Sequence, residues 1–220
     1  APLAVGCLVA KLVAETGPGV FASLGWYCVT VVLGIALHVT FLFTVARTLG
    51  GVSPLAMFRG IREAMLVAIS TRSSAATLPV TISNVTRNLG VSPKVANFSL
   101  PIGATINMDG TALYQAIAVV FLVQLYGGLD DVTTTLGAGD LALILITAVL
   151  ASVGAAAVPS AGLVTMVIVA AAVDLPIYYL TLIFATDAVL DMLRTATNVF
   201  GDSVGGVVIN RLERSRLGDT

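Results

Sequence analysis

The feature that most constrains this chain is an apolar stretch broken in its middle. Residues 95–102 and 112–126 would together make one membrane-length helix if nothing came between them. Between them lies Gly103-Ala104-Thr105-Ile106-Asn107-Met108-Asp109-Gly110-Thr111. Gly, Thr, Asn and Asp compete with helical backbone bonding, so an unwound segment is expected there. Unwound backbone at bilayer depth is tolerated only where protein buries it or where it lines a cavity. Asp109 places an ionisable group at the same point, which marks the segment as functional. A polar loop between two short helices is the alternative, but both flanks are too apolar for a connection through solvent.

Composition agrees with a bilayer setting. Of 220 residues, 57% are hydrophobic and only 10% charged, with a mean hydropathy of +1.00; a soluble domain carries about 25% charged residues. An all-α integral membrane protein is expected. The net charge of −1 and the lack of a basic cluster interleaved with aromatics argue against a nucleic-acid partner. Cys7 and Cys28 sit in apolar runs and read as small core residues. A single histidine and no Cys/His ligand spacing make a zinc site a poor fit. The chain opens inside an apolar helix with no signal peptide evident, so a preceding portion is expected.

Taken in order, residues 1–52 read as two transmembrane helices. The first ends near Lys11, Glu15 and the Gly17-Pro18-Gly19 breaker. The second, 20–46, has no charged residue over 27 positions, enough to span with some tilt. His38 lies within it and is expected to bond a neighbour. Residues 53–92 read as a re-entrant hairpin whose turn lies at Ser73-Ser74-Ala75-Ala76-Thr77-Leu78-Pro79. The Asn84-Val85-Thr86 and Asn97-Phe98-Ser99 sequons are discounted as chance matches. Residues 93–128 form the unwound helix, followed by a loop with Asp130 and Asp131. Residues 137–174 read as a second hairpin with its tip at Gly154-Ala155-Ala156-Ala157-Val158-Pro159-Ser160, and 175–213 as the last transmembrane helix. The two tips share a small-residue run ending in proline, and each is followed by a long helix with buried acids. A hairpin plus helix occurring twice suggests a transporter built from internal repeats. Arg47, Arg59, Arg62, Arg87, Lys94 and the C-terminal arginines fall on one side, and Glu15, Asp130, Asp131, Asp140 and Asp174 on the other. The basic side is then cytoplasmic, as is the C-terminus, and the two hairpins are inverted.

Six charges remain within apolar segments: Arg72, Asp109, Asp187, Asp191, Arg194 and Asp202. On the last helix, Asp187, Asp191, Arg194, Thr195, Asn198 and Asp202 share a stripe about 100° wide. Four acids against two bases leave two negative charges to be neutralised by protons or bound cations. Oxygen ligands without sulfur or imidazole suit hard cations. Unwound carbonyls around residues 103–107 add more oxygens, while the planar fork of Arg194 suits a carboxylate. An anion site beside cation sites points to coupled uptake.

Four stretches carry a family resemblance: Thr71-Arg72-Ser73-Ser74, Asn107-Met108-Asp109-Gly110-Thr111, Ala151-Ser152-Val153-Gly154 with Pro159, and Asp191-Met192-Leu193-Arg194-Thr195 with Asn198 and Asp202. Over essentially its whole length the chain resembles the C-terminal transport half of the glutamate transporters, the dicarboxylate/amino-acid:cation symporters. The resemblance implies an elevator-type transport domain at the cell membrane, multi-pass, in contact with lipid, and a homotrimer in the complete protein. It implies that an acidic amino acid is held by Ser74, Thr111, backbone at Val158 and Gly162, Asp191 for the amino group, Arg194 for the side-chain carboxylate, Thr195 and Asn198. It implies co-transported sodium ions. One would lie at Gly103, Asn107, Asn198 and Asp202, a second at Thr105 with carbonyls near Ser152 and Val153, and a third at Asn107 and Asp109. The second hairpin would be the extracellular gate.

The chain also departs from the family pattern. The family's N-terminal scaffold helices are not in it. Ala155 and Ala157 replace a Thr and a Gly of some relatives. Gln115 stands where proton-coupled animal members carry Glu. Arg72 with Met192 resembles the prokaryotic arrangement. Other readings fit less well. Gly137-Ala138-Gly139-Asp140 looks like the Gly-x-Gly-Asp of intramembrane aspartyl proteases, but no Pro-Ala-Leu completes that pattern and Asp140 sits at a helix start. No enzyme is expected. An oxygen-lined ion channel, a carrier of C4-dicarboxylates and a carrier of neutral amino acids stay open as alternatives, with Asp191 favouring a substrate that bears an ammonium.

Overall fold

The computed structural model describes residues 19–127 and 135–217, together with residues 7, 10, 14 and 17. The first hydrophobic helix and the loop acids Asp130 and Asp131 therefore fall outside the described residues. What is described is helical: α1 (Val20–Thr48), α2 (Pro54–Thr71), α3 (Ser74–Leu89), α4 (Pro93–Ile106), α5 (Asp109–Tyr126), α6 (Ala138–Val153), α7 (Ala161–Ala171), a 3-10 stretch (Ile177–Ile183) and α8 (Phe184–Leu217). Among the described residues, two stretches are long and apolar enough to cross a membrane, Val20–Thr48 and Pro93–Tyr126.

Local chemistry explains where the helices start. Ser53 and Ser92 each precede a proline in the first turn and accept a backbone N–H through the side chain, from Ala56 and Val95. Both are N-caps followed by a residue whose missing N–H costs nothing at that position. Gly90 ends α3 in the left-handed conformation (φ 69°), which only glycine adopts without strain.

Three expectations are corrected. The first turn does not extend over residues 73–79. Only Arg72 and Ser73 leave the helix, Ser73 caps α3 through Ala76 N–H, and Pro79 lies inside α3. Caps from Ser73 let the helix restart at once, and the ring of Pro79 is accommodated one turn later. The unwound segment is also narrower than residues 103–111: α4 runs to Ile106 and α5 starts at Asp109, so Asn107 and Met108 alone break the helix. The Gly103 carbonyl is accordingly taken by Asn107 N–H at 2.8 Å. Finally, α8 starts at Phe184 behind the 3-10 stretch and not at residue 175.

α8 is the hub, packed against α1, α2, α3, α4 and α5. One apolar cluster joins α1, α5, α6 and α7 with the 3-10 stretch, through Tyr27, Val31, Tyr114, Leu122, Ile144, Met166 and Leu182. A second joins α1, α2, α3, α4 and α8, through Leu42, Met57, Ile61, Val85, Leu100 and Phe200. The α2–α3 pair is also zipped by polar groups: Asn84 accepts Ala64 N–H and donates to Glu63, while Asn88 donates to the Gly60 carbonyl. With Asn84 buried, its sequon has no access to solvent. The two inter-helix tips, 72–73 and 154–160, meet: the Ser73 hydroxyl donates to the Ala157 carbonyl at 2.6 Å. Each tip holds a non-glycine residue in left-handed backbone, Arg72 (φ 52°) and Ser160 (φ 59°), a strained conformation that the surroundings must enforce.

Candidate functional site

The tips close over the α4–α5 break and the middle of α8. The polar stripe of α8 points inward throughout: Asp187, Asp191, Arg194, Thr195, Asn198 and Asp202 are all buried. A narrow cavity there is lined by Ser74, Thr111, Val158, Gly162, Asp191, Arg194, Thr195 and Asn198, with Arg72, Met108 and Ala155–Ala157 beside them. Every residue expected to hold substrate therefore borders one space.

Among the described residues Arg194 is the largest fully buried side chain, 2% exposed, and its surroundings compensate its charge. Its Nε donates to Asp191 Oδ1 at 2.8 Å and its Nη1 to Asp187 Oδ1 at 3.2 Å. The guanidinium lies 4.6 Å from the Tyr114 ring centre, within cation–π range, and the Tyr114 hydroxyl donates to Asp187 Oδ1 at 3.1 Å. Asp191 is a junction as well. Its Oδ2 accepts Ser160 N–H at 2.9 Å and lies 3.8 Å from Arg72 Nη1, and its Oδ1 accepts the Thr195 hydroxyl at 3.4 Å. One carboxylate thus touches both tips and the arginine. Two glycines leave space for this: a Cβ on Gly162 would come within 2.8 Å of Arg194, and one on Gly110 within 2.6 Å of the Arg194 carbonyl.

The expected cation ligands divide into groups. Gly103, Asn107 and Asp202 meet: Asn107 Nδ2 donates to Asp202 Oδ1 at 3.1 Å, and a Cβ on Gly103 would lie 2.6 Å from the same oxygen. Asn107 and Asp109 meet above Gly201, where a Cβ would lie 2.7 Å from both Asn107 Nδ2 and Asp109 Oδ2. Asn107 thereby links the two: it bonds Asp202 beside Gly103 and meets Asp109 over Gly201. The Asn198 side chain faces the cavity instead, its Oδ1 accepting Gly110 N–H at 2.8 Å and its Nδ2 donating to Thr111. Thr105 is exposed with its hydroxyl on the Ile102 carbonyl, and the Ser152 hydroxyl bonds Val149 in its own helix, so those side chains are not turned toward one another. The nearby Val153 is exposed at the end of α6.

Sequence reasoning missed several participants. Gly201 lies three residues after Asn198 on the stripe, and Tyr114 three after Thr111, so helical spacing could have found both. Asp187 stood out as a buried acid but its bond to Arg194 was not foreseen. Ser160 acts through its backbone N–H, which no residue-type pattern reveals.

A sequence model of the sodium:dicarboxylate symporter family matches residues 1–212. The chain is 44% identical to human excitatory amino acid transporter 2 over 219 residues, 98% of this chain and 37% of that protein. It is 44% identical to excitatory amino acid transporter 1 of Bos taurus, over 99% of this chain and 40% of the relative. It is 45% identical to excitatory amino acid transporter 4 of Rattus norvegicus, over 89% of this chain and 34% of the relative. The chain thus spans little more than a third of the length of these relatives.

Proposed function

The chain belongs to the sodium:dicarboxylate symporter family, and from that premise we propose that it forms the substrate-carrying part of a sodium-coupled symporter of acidic amino acids. The observation that carries the proposal is Arg194 and Asp191, both buried, in one cavity closed by two helical tips. A fork of N–H donors and a carboxylate acceptor side by side match a molecule that bears a carboxylate and an ammonium. Arg194 takes the side-chain carboxylate and Asp191 the ammonium. Ser74, Thr111, Thr195 and Asn198 supply further polar contacts, and backbone at Val158 and Gly162 closes over the substrate.

Sodium is cargo in this scheme, held by the carboxylates of Asp109 over Gly201 and Asp202 beside Gly103, by Asn107 between them once its amide turns its oxygen to the ion, and by main-chain groups near Gly103. Asn198, Thr105, Ser152 and Val153 remain proposed ligands, contributing when the second tip and α6 rearrange. Ions at the α4–α5 break brace the backbone that carries Thr111 into the cavity, which couples ion and substrate occupancy. The α2–α3 and α6–α7 pairs act as re-entrant hairpins of inverted orientation, and the second tip is the outer gate. Its latch is the Ser160–Asp191 bond, at the carboxylate that receives the substrate ammonium. The carrier works at the cell membrane by elevator-type alternating access, with lipid along its apolar faces, a cytoplasmic C-terminus and a homotrimeric complete assembly.

The test is calorimetric titration of the full protein containing this chain with aspartate, glutamate, succinate and serine, in sodium and in choline. Sodium-dependent binding of aspartate or glutamate is expected, with succinate weaker because it offers Asp191 no ammonium. Equal binding in choline overturns the sodium coupling, and succinate binding tighter than aspartate overturns the substrate class. Saturable uptake into vesicles against a gradient separates a carrier from a pore.

A further inference from the structure

We propose that His38 of α1 is a positioning residue for the Asp109 carboxylate, and through it for the cation held above Gly201; the inference rests on the cation site proposed above. The contact is short: His38 Nε2 lies 2.6 Å from Asp109 Oδ2, across 71 positions of sequence. A carboxylate that holds a cation only accepts hydrogen bonds, so in the proposed site Nε2 is the donor. At 2.6 Å the contact is slightly shorter than the about 2.7–2.9 Å usual for a charge-assisted N–H···O bond.

His38 sits on the buried stripe of α1, after Val31 and Ile35 and before Leu42 and Ala46, so helical spacing alone delivers it to this face. Asp109 is pinned at both oxygens: Oδ1 accepts Gly110 N–H at 2.9 Å and Oδ2 meets His38. The same Oδ2 lies 2.7 Å from the point that a Cβ on Gly201 would occupy, the point shared with Asn107 Nδ2. His38 therefore sets the position of the one acidic oxygen that faces the gap from the α4–α5 break. Gly110 is a helix residue that cannot move without α5, whereas His38 belongs to a separate helix. The bond thus makes the cation site depend on where α1 packs.

A partner that orients a ligand typically alters metal affinity by about 10–100-fold when removed. In the full protein, His38→Leu is expected to raise the sodium concentration for half-maximal aspartate binding by on the order of 10-fold, the lower end of that range. Aspartate affinity at saturating sodium should stay within a few-fold, because His38 does not border the substrate cavity. His38→Gln, whose amide can reach and donate, should return most of the lost sodium affinity, and His38→Asn, one methylene shorter, should not. A residue that merely fills space predicts the reverse order, with Leu preserved and Gln impaired. If His38→Leu does not fold, the comparison of Gln with Asn carries the test. Wild-type sodium dependence in His38→Leu, or a Gln variant no better than Asn, overturns the inference. Asp109→Asn is the control: if it loses sodium dependence while His38→Leu keeps it, the cation site stands and the role of His38 falls. If Asp109→Asn itself keeps wild-type sodium dependence, the cation site fails and the inference with it.

Discussion

Two acids and a tyrosine ring share Arg194, and on the proposed function this lowers the discrimination expected against neutral amino acids. Had the arginine depended on substrate alone for compensation, a neutral ligand would leave a buried charge bare, at about 3–5 kcal/mol. Asp187 is paired to it with no substrate present, and a neutral ligand leaves that pair in place. The difference is then one charge-assisted hydrogen bond, about 1.5–3 kcal/mol, or roughly one to two decades in affinity. Arg194→Cys is expected to lose aspartate and gain serine or alanine, still with sodium, as titration with each amino acid would read. Aspartate binding within a few-fold of wild type would remove Arg194 as the carboxylate receptor. The same change strands Asp187, 3% exposed, beside Tyr114. Arg194→Cys should therefore melt lower than wild type, and Arg194→Cys with Asp187→Asn should recover much of the loss. Gln115 offers a second residue-level test. It is fully buried and donates to the Gly162 carbonyl at 2.9 Å and to Thr165 at 2.6 Å. In Gln115→Glu only the protonated acid can donate to that carbonyl, so uptake should fade as pH rises. A profile as flat as wild type between about pH 5 and 8, where a buried carboxyl can titrate, overturns this.

Among elements, α8 and the α4–α5 break work as a pair. The break supplies Asn107 and Asp109, and α8 supplies Asp202 with a glycine between them. Replacing Gly201 by Ala improves helix propensity by about 1 kcal/mol, yet its Cβ would sit 2.7 Å from Asn107 and Asp109. Gly201→Ala is expected to keep the fold and weaken sodium several-fold, separating stability from cation binding. Sodium dependence identical to wild type would show that nothing binds over Gly201. Asp202→Asn should weaken sodium in the same assay, since it removes the charge that Asn107 bonds beside that gap. Both positions were within reach of pattern reading, because spacing on α8 places residues 198, 201 and 202 on adjacent parts of one face. The extent of the break was not: propensity marked nine residues, but α4 and α5 run through seven of them and leave only Asn107 and Met108 outside a helix.

For the whole molecule, the decisive contact is tip against tip. The Ser73 hydroxyl on the Ala157 carbonyl and Ser160 N–H on Asp191 are what hold residues 154–160 over the cavity. Ser73→Ala removes one neutral bond, about 0.5–1.5 kcal/mol, so hydrogen exchange across 154–160 should speed by roughly 2–10-fold. Exchange unchanged there would mean that Asp191 alone is the latch. The sequence by itself determined the helical class, the two interrupted pairs and the inward stripe of α8, and its family resemblance pointed to eight of the residues that line the cavity. The first three follow from periodicity and residue chemistry, local properties of the chain, whereas the eight residues follow from motifs matched to a family. Only the tertiary structure decided that Asp187 keeps Arg194 compensated, that Asn198 turns to the cavity side, and that His38 meets Asp109. Each of these depends on which atoms face each other across helices far apart in the chain, and the spacing along any one helix says nothing about its neighbour's rotation or height.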